Sequence, residues 1–132
     1  MEAARGSMAV LLIEDEALIR MLLESELAEL GHRIAAKASN LASGLTLAKE
    51  ADYQLAILDI NLNGRPSFPI ADAVRARGKA LLFVTGYESS GLTADYKGAV
   101  VLQKPFTPAQ LSEAISSTLA EPIEGTYPGA YA

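Results

Sequence analysis

Ala9-Val10-Leu11-Leu12-Ile13-Glu14-Asp15 decides the fold: five apolar, mostly branched residues run on without a polar interruption and then stop at two acids. A strand wetted on one face alternates apolar with polar residues, so an unbroken run this short reads as a parallel strand covered on both sides. Downstream, Leu18, Met21, Leu22, Leu27 and Leu30 recur at helical spacing from Glu16 to Leu30, and Gly31 supplies a stop. The alternation then repeats. Arg33 to Ala38 is a weak second strand, and a helix follows over about Leu41 to Glu50 with Ser39 or Asn40 as N-cap. Leu55 to Leu58 is a third strand ending at Asp59, and a polar loop from Asn61 to Pro69 leads to a short helix near Ile70 to Ala76. Ala80 to Val84 and Ala99 to Leu102 are the fourth and fifth strands, with room for only a short helix between them. Thr107-Pro108-Ala109-Gln110 opens the last helix, with Pro at its first position and a capping pair three residues apart. Five βα units of this kind make an α/β protein with a doubly wound parallel sheet.

The 132 residues fit one domain. Met1 to Ser7 reads as a cloning leader, since Gly6-Ser7-Met8 has the form of a scar before a second start; 8–120 is the domain and 121–132 a tail. A formal net charge of -5 with no basic cluster speaks against nucleic acid as a partner. The absence of cysteine removes disulfides, thiolate metal sites and cysteine nucleophiles. Apolar runs are strand-sized and no signal-peptide stretch is present, so no membrane partner and a cytoplasmic location are expected, the protein being a monomer or weak dimer.

In a doubly wound sheet ligands bind beyond the carboxyl ends of the strands, so the residues just after each apolar run are the informative ones. Here they are Glu14 and Asp15, then Asp59, then Thr85, then Lys104 with Pro105. Three carboxylates on one rim repel by roughly 4 kcal/mol per pair at an effective dielectric near 20, which implies a hard divalent cation. Mg²⁺ (or Mn²⁺) suits the set, with Asp15 and Asp59 as direct ligands, the Asn61 backbone carbonyl as a third and Glu14 acting through water. A carboxylate facing such an ion, with an ammonium and a hydroxyl at hand, is equipped as a nucleophile towards a phosphoryl donor. Asp59 is that residue. Lys104 neutralises the transferring group, Thr85 donates to the attached phosphoryl, and Gly86 leaves room for it.

Ile13-Glu14-Asp15-Glu16, Leu58-Asp59-Ile60-Asn61, Val84-Thr85-Gly86 and Gln103-Lys104-Pro105-Phe106 together resemble the receiver domains of two-component response regulators, over about Ala9 to Leu119. The resemblance implies a flavodoxin-like five-stranded parallel sheet in the order 2-1-3-4-5 and a cis bond between Lys104 and Pro105. It also implies a histidine kinase or histidine phosphotransfer protein as donor, an aspartyl phosphate as product, and signalling through an unknown downstream protein. Receivers usually carry a switch aromatic three residues before the lysine, where this chain has Val101. Phe83-Val84-Thr85-Gly86-Tyr87 is similar instead to the Phe-Ala-Thr-Gly-Tyr signature of an atypical single-domain group, in which the tyrosine lies beside the phosphoryl site and the fourth helix is reduced. Thr85 and Tyr87 are thus the switch residues that the resemblance implies. Asn63 stands where many receivers have proline.

Taken singly, each signal has a plainer reading. Glu14 and Asp15 could serve only the following helix dipole, Thr85 a turn, and Lys104 solvent. Their joint occurrence at strand ends is what selects the chemical one. His32, the one histidine, lies far from the rim as a surface residue, so a histidine-based triad is ruled out. A small aspartyl-phosphate phosphohydrolase would need an acid two residues after its nucleophile, and that residue is Asn61. A pseudo-receiver would lack the acidic pair, the aspartate or the lysine, and all are present. A phosphate sink or shuttle in a phosphorelay is the alternative role for the same chemistry.

Overall fold

The computed structural model describes residues 7–86 and 94–120. Its main strands are β1 (Ala9–Ile13), β2 (Arg33–Ala38), β3 (Leu55–Asp59), β4 (Ala80–Thr85) and β5 (Val100–Gln103). They alternate with the helices α1 (Ala17–Glu29), α2 (Leu41–Glu50), α3 (Phe68–Ala76) and α4 (Pro108–Ala120). All five strands run parallel in the order β2-β1-β3-β4-β5, the doubly wound arrangement that the sequence and the resemblance imply. Between β4 and β5 the described residues hold one 3₁₀ turn, Ala94–Tyr96, and the rest of the segment where a reduced helix is expected, 87–93, lies outside the described residues. The expectations for the leader at 1–6, for Tyr87 and for the tail from 121 lie outside the described residues.

Every residue of β1 and of β3 is buried, which is why their sequences show no alternation. The alternation is instead between two cores. Val10, Leu12, Leu55 and Ile57 face α1 and α4, while Leu11, Ile13, Ala56 and Leu58 face α2 and α3. On the second side the packing is close: a Cβ at Gly44 of α2 would lie 2.7 Å from Ile70 Cδ1 and 3.2 Å from Ile13 Cγ2. Asn40 caps α2 by accepting from the Ser43 N–H at 2.8 Å. Thr107 and Gln110 form the reciprocal box expected at the start of α4, at 3.1 and 2.9 Å.

The packing face of α1 differs from the spacing read in its sequence. Leu23 and Leu27 are buried and Ile19 packs beside them, whereas Leu18, Met21 and Leu22 are 79%, 61% and 43% exposed. Apolar residues wrap around more than one side of this helix, so periodicity alone does not give its phase. The Arg20 guanidinium ties the helix to the rim by donating to the Glu14 carbonyl at 2.7 Å.

The loop after β3 contains a small hairpin, Asn61–Leu62 against Arg65–Pro66. Its two turn residues, Asn63 and Gly64, both have positive φ, +53° and +84°, the type I′ geometry that Asn-Gly favours. Among the described residues no helix is long and apolar enough to cross a membrane.

Candidate functional site

Parallel register brings the carboxyl ends of the strands to one rim: Asp59 pairs with Val84, and Thr85 with Gln103. Glu14 continues the β1–β2 ladder, its N–H on the Ala38 carbonyl at 3.1 Å, and this draws its side chain to 1% exposure. Glu14 Oε2 then accepts from the Glu16 N–H at 3.0 Å. Asp59, the last residue of β3, is buried, and its Oδ1 accepts from the Asn61 N–H at 3.0 Å. Thr85 ends β4, also buried, and its carbonyl accepts from the Lys104 N–H at 2.8 Å. That bond carries the chain across the rim to Lys104, and the Lys104–Pro105 peptide is cis.

Lys104 gathers the acids. Its Nζ lies 3.1 Å from Asp59 Oδ2, 3.1 Å from Glu16 Oε1 and 3.2 Å from Glu14 Oε1. Burial raises the Glu14 carboxyl to about 7, and the neighbouring charge of Asp59 adds to the rise against the opposing pull of the Glu16 N–H and Lys104. Burial also raises Asp59, although the Asn61 N–H and Lys104 act the other way. For Lys104, burial alone would lower the ammonium, but its bond to Glu16 and the charges of Asp59 and Glu14 outweigh that and hold it above its ordinary range. One ammonium for three acids thus leaves the rim short of positive charge.

That shortage is what a divalent cation would meet. Glu14, Asp15 and Asp59 each offer a carboxylate oxygen within 4.8 Å of the others. Glu14 Oε1 is buried and, though within ion-pair distance of Lys104, has no aligned hydrogen-bond donor. Asn61 faces Pro66 one step from the bond between the Ser67 N–H and the Ile60 carbonyl, a non-hydrogen-bonded position whose carbonyl turns away from the partner strand. Hard oxygen donors of mixed charge, one of them lacking a donor of its own, fit Mg²⁺ or Mn²⁺.

Other expected residues lie nearby with less to say about their roles. Gly86 is exposed, and a Cβ there would meet only Lys104 Cδ at 3.9 Å, an ordinary contact. Val101 sits on β5, partly buried against the core on the α2–α3 side. Two further participants, Glu16 and Asn63, escaped the sequence reading, and Tyr96 was missed as part of the core beneath the rim. Glu16, 62% exposed, is a third partner of Lys104. The Asn63 N–H donates to Asp15 Oδ2 at 3.0 Å, a bond the Asn-Gly turn signal could have pointed towards. Tyr96, 3% exposed, stacks on Phe68 at 5.5 Å and meets Phe83 edge-on at 5.4 Å, while its hydroxyl donates to Asp72.

A doubly wound parallel sheet with an acidic trio, a hydroxyl and a lysine at its carboxyl rim is a flavodoxin-like α/β fold with a charged site where such folds bind their ligands. The response regulator receiver domain family matches this sequence over residues 10–116, and the chain belongs to that family. It is 32% identical over 121 residues to the phyllosphere-induced regulator PhyR of Methylorubrum extorquens, covering 89% of this chain and 45% of PhyR. The solution structure of SdrG from Sphingomonas melonis Fr1 is 33% identical, covers 91% of this chain and 100% of SdrG, and superposes with a TM-score of 0.79. The BeF3-activated conformation of SdrG from Pseudomonas melonis Fr1 is likewise 33% identical, covers 85% of this chain and 96% of that one, and has a TM-score of 0.74. The chain spans less than half the length of the curated relatives it matches.

Proposed function

We propose that Asp59 accepts a phosphoryl group from a histidine kinase or histidine phosphotransfer protein in a Mg²⁺-dependent reaction in the cytoplasm, and that the phosphorylated domain signals through protein contacts. The observation that carries this is the 3.1 Å approach of Lys104 Nζ to Asp59 Oδ2 inside a trio of acids. The similarity to a receiver with a BeF3-activated conformation supports it.

An oxygen of Asp59 attacks the phosphorus of the donor phosphohistidine; the new O–P bond forms as the N–P bond breaks, and the departing imidazole takes up a proton. Asp15, Asp59, the Asn61 carbonyl and, through water, Glu14 would hold the ion, which supplies charge neutralisation to the phosphoryl oxygens. Lys104 moves from pairing Asp59 to pairing the phosphoryl, with Glu16 retaining it at the rim. Thr85 donates its hydroxyl to the attached group, and the backbone bond from its carbonyl to Lys104 passes the change to β5. Leu18, Met21 and Leu22, exposed on the helix that starts beside Asp15, give the donor an apolar surface to dock on.

Intact mass after incubation with acetyl phosphate tests this. One added phosphoryl that requires both Mg²⁺ and Asp59, and is lost in Asp59→Asn, is the expected result. No gain, together with no spectral response to beryllofluoride, would overturn it.

A further inference from the structure

The hairpin after Asp59 does something at the acidic rim that its own folding does not require. In its two-residue turn the Gly64 N–H goes to Asn61 Oδ1 at 2.6 Å, while the Asn63 N–H leaves the hairpin and reaches Asp15 Oδ2 at 3.0 Å, across 48 residues of sequence. The turn is placed by packing rather than by Asp15. Leu62 is 1% exposed, and the Ser67 N–H closes the base of the hairpin on the Ile60 carbonyl at 2.8 Å. With φ +53° at Asn63 and +84° at Gly64, the backbone directs an unused N–H outward at a fixed point. A proline at 63 has neither that N–H nor access to that φ.

We infer that Asn63 is a positioning residue for the proposed metal site: its backbone N–H holds one oxygen of Asp15, so that the carboxylate stands beside Glu14 and Asp59 with its other oxygen left for the divalent cation. The inference rests on the metal-site reading above. A backbone N–H on a carboxylate is a charge-assisted bond, and a donor fixed in a tight turn orients its acceptor with little entropy left to lose. Removing such a partner of a ligating group weakens metal binding by about 10–100-fold in known sites. An exposed bond of this kind belongs at the lower end. The bond to Asp15 is made by the Asn63 backbone N–H, and the side-chain bond inside the turn is made by Asn61, so changing the side chain at 63 and removing its N–H are separate operations.

The test is an Mg²⁺ titration of the ¹⁵N-labelled chain followed through its amide shifts, with four variants. Asn63→Gly keeps the N–H and tolerates positive φ, and is expected to keep the parent affinity. Asn63→Pro is expected to weaken it about tenfold. Because proline also breaks the turn, a chain in which the residue 63 amide N–H is replaced by an ester oxygen is the deciding variant, with the same loss expected. Asp15→Asn monitors the site itself. An ester variant that binds Mg²⁺ as tightly as the parent overturns the inference while leaving the metal site standing. A parent that Mg²⁺ does not shift, or an Asp15→Asn variant of unchanged affinity, removes the metal-site reading and the inference with it.

Discussion

Lys104 Nζ stands 3.1 Å from Asp59 Oδ2, with the lysine side chain 12% exposed and the aspartate 8%. Breaking a buried pair by deleting one partner leaves an uncompensated charge, a loss of about 3 kcal/mol. Lys104→Met is therefore expected to lower stability by that order at pH 7.5 in urea unfolding. At pH 5, where Glu14 holds its proton, the loss shrinks. An equal loss at both pH values would contradict the ion-pair account.

The rim also sets how stability follows pH. Glu14 takes up its proton near pH 7 in the folded chain, against 4.5 for an unperturbed carboxyl, and Asp59 is raised in the same direction. Between those values the folded chain binds more protons than the unfolded one, so without divalent cations stability is greatest below about pH 4.5 as far as Glu14 is concerned, and falls as pH rises to about 7. Mg²⁺ requires deprotonated ligands, so the rise in Tm on adding it should grow over the same range. Chelation should reverse it. Asp59→Asn removes one of the crowded charges and should raise the cation-free Tm at pH 7.5. Thermal melts with and without Mg²⁺ at pH 5 and 7.5 check all of this.

Tyr96 predicts a contrast between two substitutions. Its ring is held by Phe68, Phe83 and the Arg75 guanidinium, 4.6 Å from the centroid, and its hydroxyl by Asp72. Tyr96→Ala should destabilise by about 3 kcal/mol, as large-to-small changes in cores do. Tyr96→Phe, losing only the hydroxyl bond, should lose about 1 kcal/mol. Both should still accept a phosphoryl from acetyl phosphate, read by intact mass, because Tyr96 does not touch Asp59.

On α1, replacing Leu18, Met21 and Leu22 by Ser is expected to change stability by no more than about 0.5 kcal/mol per site, since these side chains are already in water. Transfer from a phosphohistidine protein should slow, while acceptance from acetyl phosphate stays at the parent rate. Equal transfer from the protein donor would show that the ridge is not the docking surface.

The fold was legible because β1 and β3 are covered on both faces, so an unbroken apolar run is the direct imprint of their burial. The phase of α1 was not, since Leu18, Met21 and Leu22 satisfy helical spacing as well as Ile19, Leu23 and Leu27 do, and it is packing of the second set against the sheet that separates them. Glu14, Asp15, Asp59, Thr85 and Lys104 could be gathered from the sequence because each follows an apolar run and parallel register carries every run to the same rim. Glu16 joins Lys104 through side-chain reach alone, which no spacing encodes. The hairpin does not stand out from a loop in the sequence, because strands of two residues are too short to show a period. Its one local signal was Asn63-Gly64.

The close seat of Gly44 against Ile70 and Ile13 gives the molecule a stiff flank: α2 has no slack towards α3 or β1, and sliding there would drive atoms into one another. At the opposite edge an open groove of about 360 Å³ lies between β5 and α4, lined by Val101, Gln103, Glu113 and Ser117 among others. A change of charge at Asp59 is thus met by unequal compliance on the two sides. On the proposed phosphorylation of Asp59, the backbone link between Thr85 and Lys104 leads towards the open edge at β5, with α2 and α3 close-packed on the other side.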